Sequence, residues 1–148
     1  MPLFSRIPFN KAQIEAAIGR LEQQTSAELR VYIERHIPQE DKYSSLKRAL
    51  HVFNELKMDT TKARNGVLIY IAFKDHQCSI IGDQGIHQYV GEDFWREQCD
   101  LMVTYFKRAD YTVGIVEVIE QIGEELTKYF PIQTDDVNEL ENEVIIND

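Results

Sequence analysis

Gly66-Val67-Leu68-Ile69-Tyr70-Ile71-Ala72-Phe73-Lys74-Asp75-His76-Gln77-Cys78-Ser79-Ile80-Ile81-Gly82-Asp83-Gln84-Gly85 decides how the rest of the chain is read. The apolar run from Val67 to Phe73 has no polar alternation and follows a glycine, so it reads as a central strand covered on both faces. Lys74 to Gln77 is short enough for a hairpin, and Cys78 to Ile81 returns antiparallel. Gly82-Asp83-Gln84-Gly85 ends the return strand, with two glycines available for unusual backbone angles.

Outward from this core, Glu28 to Glu34 alternates Leu29, Val31 and Ile33 with Glu28, Arg30, Tyr32 and Glu34, the pattern of a strand with one apolar face. Ahead of it, Asn10 is placed to cap a helix carrying Ile14, Ala17, Ile18 and Leu21 on one face, with Phe9 as a hydrophobic staple on Ile14. Between the two main strands, Pro38 breaks the chain. A helix follows from about Asp41 to Lys57, with Leu46, Leu50, Phe53 and Leu56 on its apolar side. If these strands are parallel, that helix is a right-handed crossover. After Gly85 the chain is helical: a short turn over Ile86 to Val90, then a helix from about Asp93 to Arg108 with Phe94, Leu101 and Tyr105 inward and Trp95 and Met102 adjacent. A last helix, capped by Asp110 or Thr112, buries Ile115, Ile119, Ile122 and Leu126 and ends before Pro131. Val144-Ile145-Ile146 is read either as a late edge strand or as part of a loose tail. The order specifies an α/β fold: a mixed sheet with a parallel crossover, an antiparallel return strand and flanking helices.

The composition narrows the functional classes. The chain has 148 residues, 43% of them hydrophobic, which supports one folded domain and excludes wholesale disorder. Lys and Arg number 16 against 25 Asp and Glu, a net charge of −9, which argues against a phosphate-backbone binder and so against nucleic acid as a partner. Residues 131–148 hold six acidic and no basic residues, so the body is only mildly acidic. Cys78 and Cys99 lie too far apart for a metal hook and are expected as reduced thiols. No targeting segment opens the chain, and no apolar run is long enough to cross a bilayer. A cytoplasmic protein is expected, unless the chain is a processed form.

The topology also predicts a site. Thr25 to Glu28 precedes the first strand, Arg64 to Gly66 precedes the second, and Gly82 to Gly85 follows the return strand, so all three meet at one end of the sheet. Asp83 is the first candidate ligand for a divalent cation, with Glu28 as a second carboxylate and Asn65 or Asp59 as further oxygen donors. Oxygen donors in a flexible glycine-bearing loop suit calcium, with magnesium or another divalent metal as alternatives. Arg64 or Lys62 can contact phosphate, although Arg64 can equally lock Glu28 or Asp83 in a salt bridge. The blander reading is that Asp83 caps the next short helix while Gly82 and Gly85 shape the turn. A second cluster, His36, Asp75 and His76, lies at the opposite end and can hold a transition metal or exchange protons, against a simple solvated turn. No Walker loop, Gly-x-Ser-x-Gly elbow or His-Glu-x-x-His helix is present.

Thr25-Ser26-Ala27-Glu28-Leu29-Arg30-Val31, Ala63-Arg64-Asn65-Gly66-Val67-Leu68-Ile69-Tyr70 and Gly82-Asp83-Gln84-Gly85-Ile86 together resemble the successive hallmarks of the TPM domain. Trp95 and the span from Ile122-Gly123 to Phe130-Pro131 fit the same pattern. The resemblance covers residues 9–131 and leaves 132–148 as an acidic tail, expected to be flexible. It implies a Rossmann-like α/β sandwich with a divalent-cation site at Asp83, supported by Glu28 and Asn65. Relatives in the plant thylakoid lumen are described as acid phosphatases linked to photosystem II repair, and bacterial relatives are membrane-tethered. The expected function is divalent-cation binding in a structural or regulatory role. A metal-assisted phosphatase acting on phosphate monoesters and a non-enzymatic module with a protein partner are the alternatives.

Overall fold

The computed structural model describes residues 8–132, 140 and 142–147. Their helices are α1 (Lys11–Glu22), α2 (Ser45–Glu55), α3 (Gln84–Val90), α4 (Glu92–Lys107) and α5 (Tyr111–Thr127). The strands are β1 (Glu28–Glu34), β2 (Gly66–Ala72), β3 (Gln77–Gly82) and β4 (Ile145–Asn147), in sheet order β3-β2-β1-β4. β1 runs parallel to β2 and to β4, while β2 and β3 are antiparallel. The expected mixed sheet is therefore present, with α2 as the crossover between its two central strands. No helix among the described residues is long and apolar enough to cross a membrane.

Each sheet face has its own core. On one face Leu29, Val31, Ile33, Val67, Ile69 and Ile71 pack under α1, α4 and α5. On the other, Tyr32, Leu68 and Tyr70 pack against Ala49, Val52 and Phe53 of α2, with Met58. The α5 stripe behaves as its periodicity requires: Ile115, Ile119, Ile122 and Leu126 are all fully buried. At the start of α1, Asn10 Oδ1 accepts from the Gln13 amide at 3.0 Å. Phe9 lodges in an aromatic cluster, with its ring centroid 5.4 Å from both Phe73 and Tyr111. Thr112 spends its hydroxyl on the Asn10 amide at 2.9 Å, and Asp110 makes no side-chain cap.

Three expectations need correction. β1 is buried along its whole length rather than on one face, because α2 and the C-terminal segment cover its polar side. Of the α2 face, Phe53 is buried, but Leu46 and Leu50 are 55% and 44% exposed while Arg48 is buried. The helix is turned so that Arg48 reaches the carboxylate of Glu34, and this choice sends both leucines to the surface. α4 is rotated by one residue: Trp95, Gln98, Met102 and Phe106 are buried, and Phe94, Leu101 and Tyr105 are half-buried. Gly82 provides the reason, since a Cβ there would stand 2.9 Å from Cζ2 of Trp95. The bare backbone makes the socket that takes the indole.

β4 resolves the alternatives for the C-terminal segment. Ile145, Ile146 and Asn147 pair with Tyr32, Ile33 and Glu34, and Val144 is buried in the core. The Val144 amide donates to Glu15 at 3.0 Å, and Lys11 meets Glu143 at 3.0 Å, which ties the segment to α1.

Candidate functional site

The end of the sheet predicted from the topology is assembled. Glu28 of β1 is in register with Gly66 of β2, and the Asp83 amide donates to the Gly66 carbonyl at 2.9 Å. Glu28, Gly66 and Asp83 thus form one row across three strands, and residues in such a row project from the same sheet face. The two carboxyl-bearing residues flank a glycine, with Cα atoms about 10 Å apart at two strand spacings. Above that glycine lies the Met58 carbonyl, whose oxygen would be 2.9 Å from any Cβ at position 66. Asn65 precedes the row; its Nδ2 donates to the Ser26 carbonyl at 3.3 Å, while its buried Oδ1 has no hydrogen-bond partner among the described residues.

Asp83 is buried and engaged. Arg64 Nε and Nη2 donate to its two oxygens at 2.7 and 3.0 Å, and the Gln84 amide donates to Oδ1 at 2.8 Å, capping α3. The hydrogen bond that Arg64 donates to Asp83 raises the Arg64 pKa further, so the guanidinium is fully charged. Arg64 reaches this position from a left-handed backbone at φ 51°, held where the Gly85 amide donates to its carbonyl at 2.9 Å. The glycines of this loop serve close approach rather than unusual angles, for neither Gly82 nor Gly85 has a positive φ. A Cβ on Gly85 would meet the carbonyl oxygens of Ala63 and Arg64 at 2.2 and 2.6 Å. Glu28 is also engaged, accepting from the Leu140 amide at 2.5 Å. Asp59 sits exposed in the turn Met58–Thr60, close enough for its charge to act on Arg64, and Lys62 is exposed.

This donor set fits an oxygen-preferring cation conditionally. Asn65 Oδ1 and the Met58 carbonyl are neutral donors and the row supplies two carboxylates, but the guanidinium occupies Asp83. Among the described residues, no three His, Cys, Asp or Glu side chains are gathered closely enough to hold a metal by themselves.

At the other end of the sheet, His36 and Asp75 come together at 2.8 Å. Asp75 also accepts from the Ile37 amide at 2.8 Å, so it pins the chain leaving β1 onto the hairpin. His76 is the left-handed residue that closes that hairpin, at φ 51°, and is exposed. This geometry makes a loop tie.

The polar group that sequence periodicity did not reveal lies beneath α2. Arg48 Nε and Nη2 donate to Glu34 at 2.8 and 3.2 Å, and the Tyr70 hydroxyl donates to the same carboxylate at 2.5 Å. Asn147 of β4 adds a third donor at 3.0 Å. Asp41, wholly buried, lies 3.9 Å from Arg48 and pairs with His51. Burial, then the hydrogen bond to Glu34 and its charge, push the Tyr70 pKa well above 10.0. The protonated phenol is therefore the form the fold prefers, and its contribution is complete below the unfolded value of about 10 and lost above it. Wild-type stability is expected to fall above pH 10 by up to about 1.4 kcal/mol per pH unit for this group. Urea midpoints measured from pH 9 to 12 should show a shallower decline in Tyr70→Phe. Equal slopes in the two proteins would refute the assignment.

Cys78 and Cys99 are free thiols facing one another across β3 and α4, with Cys78 Sγ 3.7 Å from the Cys99 carbonyl. Contact with Cys99, followed by burial, raises the Cys78 pKa, which keeps it a protonated, unreactive thiol.

The comparisons agree with this fold. The BA42 protein of the psychrophilic bacterium Bizionia argentinensis, solved by NMR, superposes with a TM-score of 0.84 at 38% identity, over 97% of this chain and 99% of that one. The N-terminal domain of the cg2496 protein of Corynebacterium glutamicum gives 0.61 at 11% identity, over 82% of this chain and 74% of that one. The N-terminal domain of a P. gingivalis protein gives 0.60 at 19% identity, over 82% and 78%; these last two likenesses concern the fold alone. No curated protein sequence is significantly similar. The TPM domain profile matches residues 7–125, the span that holds the Glu28–Gly66–Asp83 row and the Arg64 loop, and the chain belongs to the TPM domain family.

Proposed function

We propose that this TPM domain binds a divalent cation, calcium by preference, in a structural or regulatory role at the Glu28–Gly66–Asp83 row. The reading is supported by the row itself, with a carboxyl-bearing residue at either end and the Met58 carbonyl over its glycine, and by the buried Oδ1 of Asn65, one position along the chain, which has no hydrogen-bond partner among the described residues. An unsatisfied buried acceptor costs about 1–3 kcal/mol, and a cation would remove that cost. Arg64 then acts as an internal competitor: its guanidinium neutralises Asp83 in the cation-free protein and must swing aside on binding. Because the Arg64 side chain is 39% exposed, it can do so into solvent. Calcium tolerates the irregular, partly backbone-derived shell better than magnesium, which demands near-octahedral geometry.

The phosphatase alternative draws on Arg64 as a phosphate ligand, yet phosphate would compete with Asp83 for the same guanidinium. We therefore favour binding over catalysis.

Calcium titration followed by amide spectra and calorimetry tests the competition. Wild-type protein should show weak, saturable shifts centred on residues 26–28, 58, 64–66 and 82–85. Asp83→Asn should abolish them. Arg64→Gln should tighten binding about threefold to fivefold, the scale of a partly exposed ion pair. Unchanged affinity in Arg64→Gln, or retained binding in Asp83→Asn, would overturn the proposal.

A further inference from the structure

β3 is an edge strand whose outer side forms the floor of a groove of about 500 Å³. Its register fixes what that floor presents. In an antiparallel ladder, directly opposed residues alternate between hydrogen-bonded and non-hydrogen-bonded pairs. Asp83 donates to Gly66, so the bonded pairs are 66 with 83, 68 with 81, 70 with 79 and 72 with 77. Cys78, Ile80 and Gly82 consequently turn their amides and carbonyls away from β2, towards the groove. Of these, the Cys78 carbonyl is 3.4 Å from Ser45 Oγ. The strand Gln77-Cys78-Ser79-Ile80-Ile81-Gly82 carries neither charge nor proline, the usual defences of an exposed edge.

The walls of the groove differ in chemistry. On the side of Ser79 and Ile81, α2 contributes Leu46, the leucine that the Arg48–Glu34 pair sends outward. On the side of Cys78, Ile80 and Gly82, α4 contributes Trp95, Cys99, Glu92, Arg96 and Asp100. Over the stretch of α4 that lines the groove, Glu92 to Asp100, the exposed side chains include four acids, Glu92, Asp93, Glu97 and Asp100, and one base, Arg96, which is paired with Asp93; the other exposed base of the helix, Lys107, lies at its far end.

We propose that this groove binds an extended peptide segment of a partner protein by adding it as a fifth strand on β3. Side chains of an added strand alternate between the two walls. The segment therefore carries apolar residues at every second position, towards Leu46, and Lys or Arg at the intervening ones, towards Glu92 and Asp100. Charge decides against a second copy of the chain as the occupant. Two-fold pairing of β3 on β3 places the acidic α4 helices of both copies on the same sheet face, side by side, and β3 brings no base to offset them. The proposal goes beyond the cation reading and does not rest on it.

The test uses the whole chain in EDTA and an acetylated, amidated seven-residue peptide alternating valine and lysine. Amide shifts should concentrate on residues 77–82 and Leu46, with slowed solvent exchange at Ile80 and Gly82. A valine–glutamate peptide should bind at least about tenfold more weakly. Backbone N-methylation at every second residue should abolish binding in one phase and spare it in the other, because only one set of amides meets β3. The pair Glu92→Lys and Asp100→Lys, both exposed, should move the preference from the lysine peptide to the glutamate one. Equal binding of the two peptides, equal effects of the two methylation phases, shifts centred elsewhere or no binding at millimolar peptide would each overturn the proposal. So would a dimer that protects the Ile80 amide without peptide.

Discussion

Arg48→Met is expected to destabilise the protein by about 3–5 kcal/mol, the scale of removing one partner of a buried ion pair. The two side chains are 10% and 5% exposed, so water cannot replace the lost guanidinium at Glu34. Tyr70 and Asn147 would remain as neutral donors to an uncompensated carboxylate, and Asp41 would keep only His51. Methionine approximates the arginine stem in volume, so the loss reports charge rather than a cavity. The triple variant Glu34→Met, Arg48→Met, Tyr70→Phe should recover most of the loss, since a buried ionic group replaced whole by apolar side chains is commonly neutral or stabilising. Urea or thermal unfolding checks both proteins. A loss below about 1 kcal/mol in Arg48→Met would mean that solvent reaches Glu34 and that the network is not closed.

Gly85→Ala should be nearly as damaging, at about 3 kcal/mol, the upper part of the range for overpacking. The obstacles to its methyl group are backbone carbonyls of Ala63 and Arg64 at 2.2 and 2.6 Å, which cannot rotate aside as side-chain atoms can. The loop from Thr61 to Asn65 would have to withdraw, stretching the 2.9 Å bond from the Gly85 amide to Arg64 and carrying the guanidinium away from Asp83. Amide spectra should show that displacement as shifts at Arg64, Asn65 and Ser26. Gly19→Ala provides the contrast: nothing lies within 4 Å of its added methyl group inside α1, and a gain of about 0.5–1 kcal/mol is expected. Equal and small effects at the two positions would show that the Arg64 loop yields without cost.

Those two sites also mark what was and was not legible from residue order. β2 was readable because an unbroken apolar run bounded by Gly66 and a polar turn has few alternatives, and α5 because four isoleucine and leucine positions repeat at helical spacing. The convergence of Glu28, Asn65 and Asp83 was readable from topology, since one parallel crossover and one hairpin determine which strand ends meet. The face of α2 was not. Its leucines satisfy an amphipathic pattern, but burial of Arg48 depends on Glu34 of β1, and no local periodicity carries that pairing. The inward face of α4 was read one position off for a similar reason, because the socket that takes Trp95 is an absent side chain at Gly82 on another element. Arg64 was legible as an ion-pair or phosphate residue, but its choice of Asp83 needed the Gly85 contact that fixes the loop.

The position of β4 bears on how the chain is made. β1 and β2 lie next to one another in space and early in sequence, whereas the strand that closes the outer side of β1 is translated after all five helices. During vectorial synthesis the central parallel pair can assemble while that flank of β1 still offers unpaired amides, and the Asn147 bond to Glu34 forms last. A ribosome that stalls between α5 and β4 would hold a nascent chain with a bare sheet edge, the species for which a chaperone would have most use.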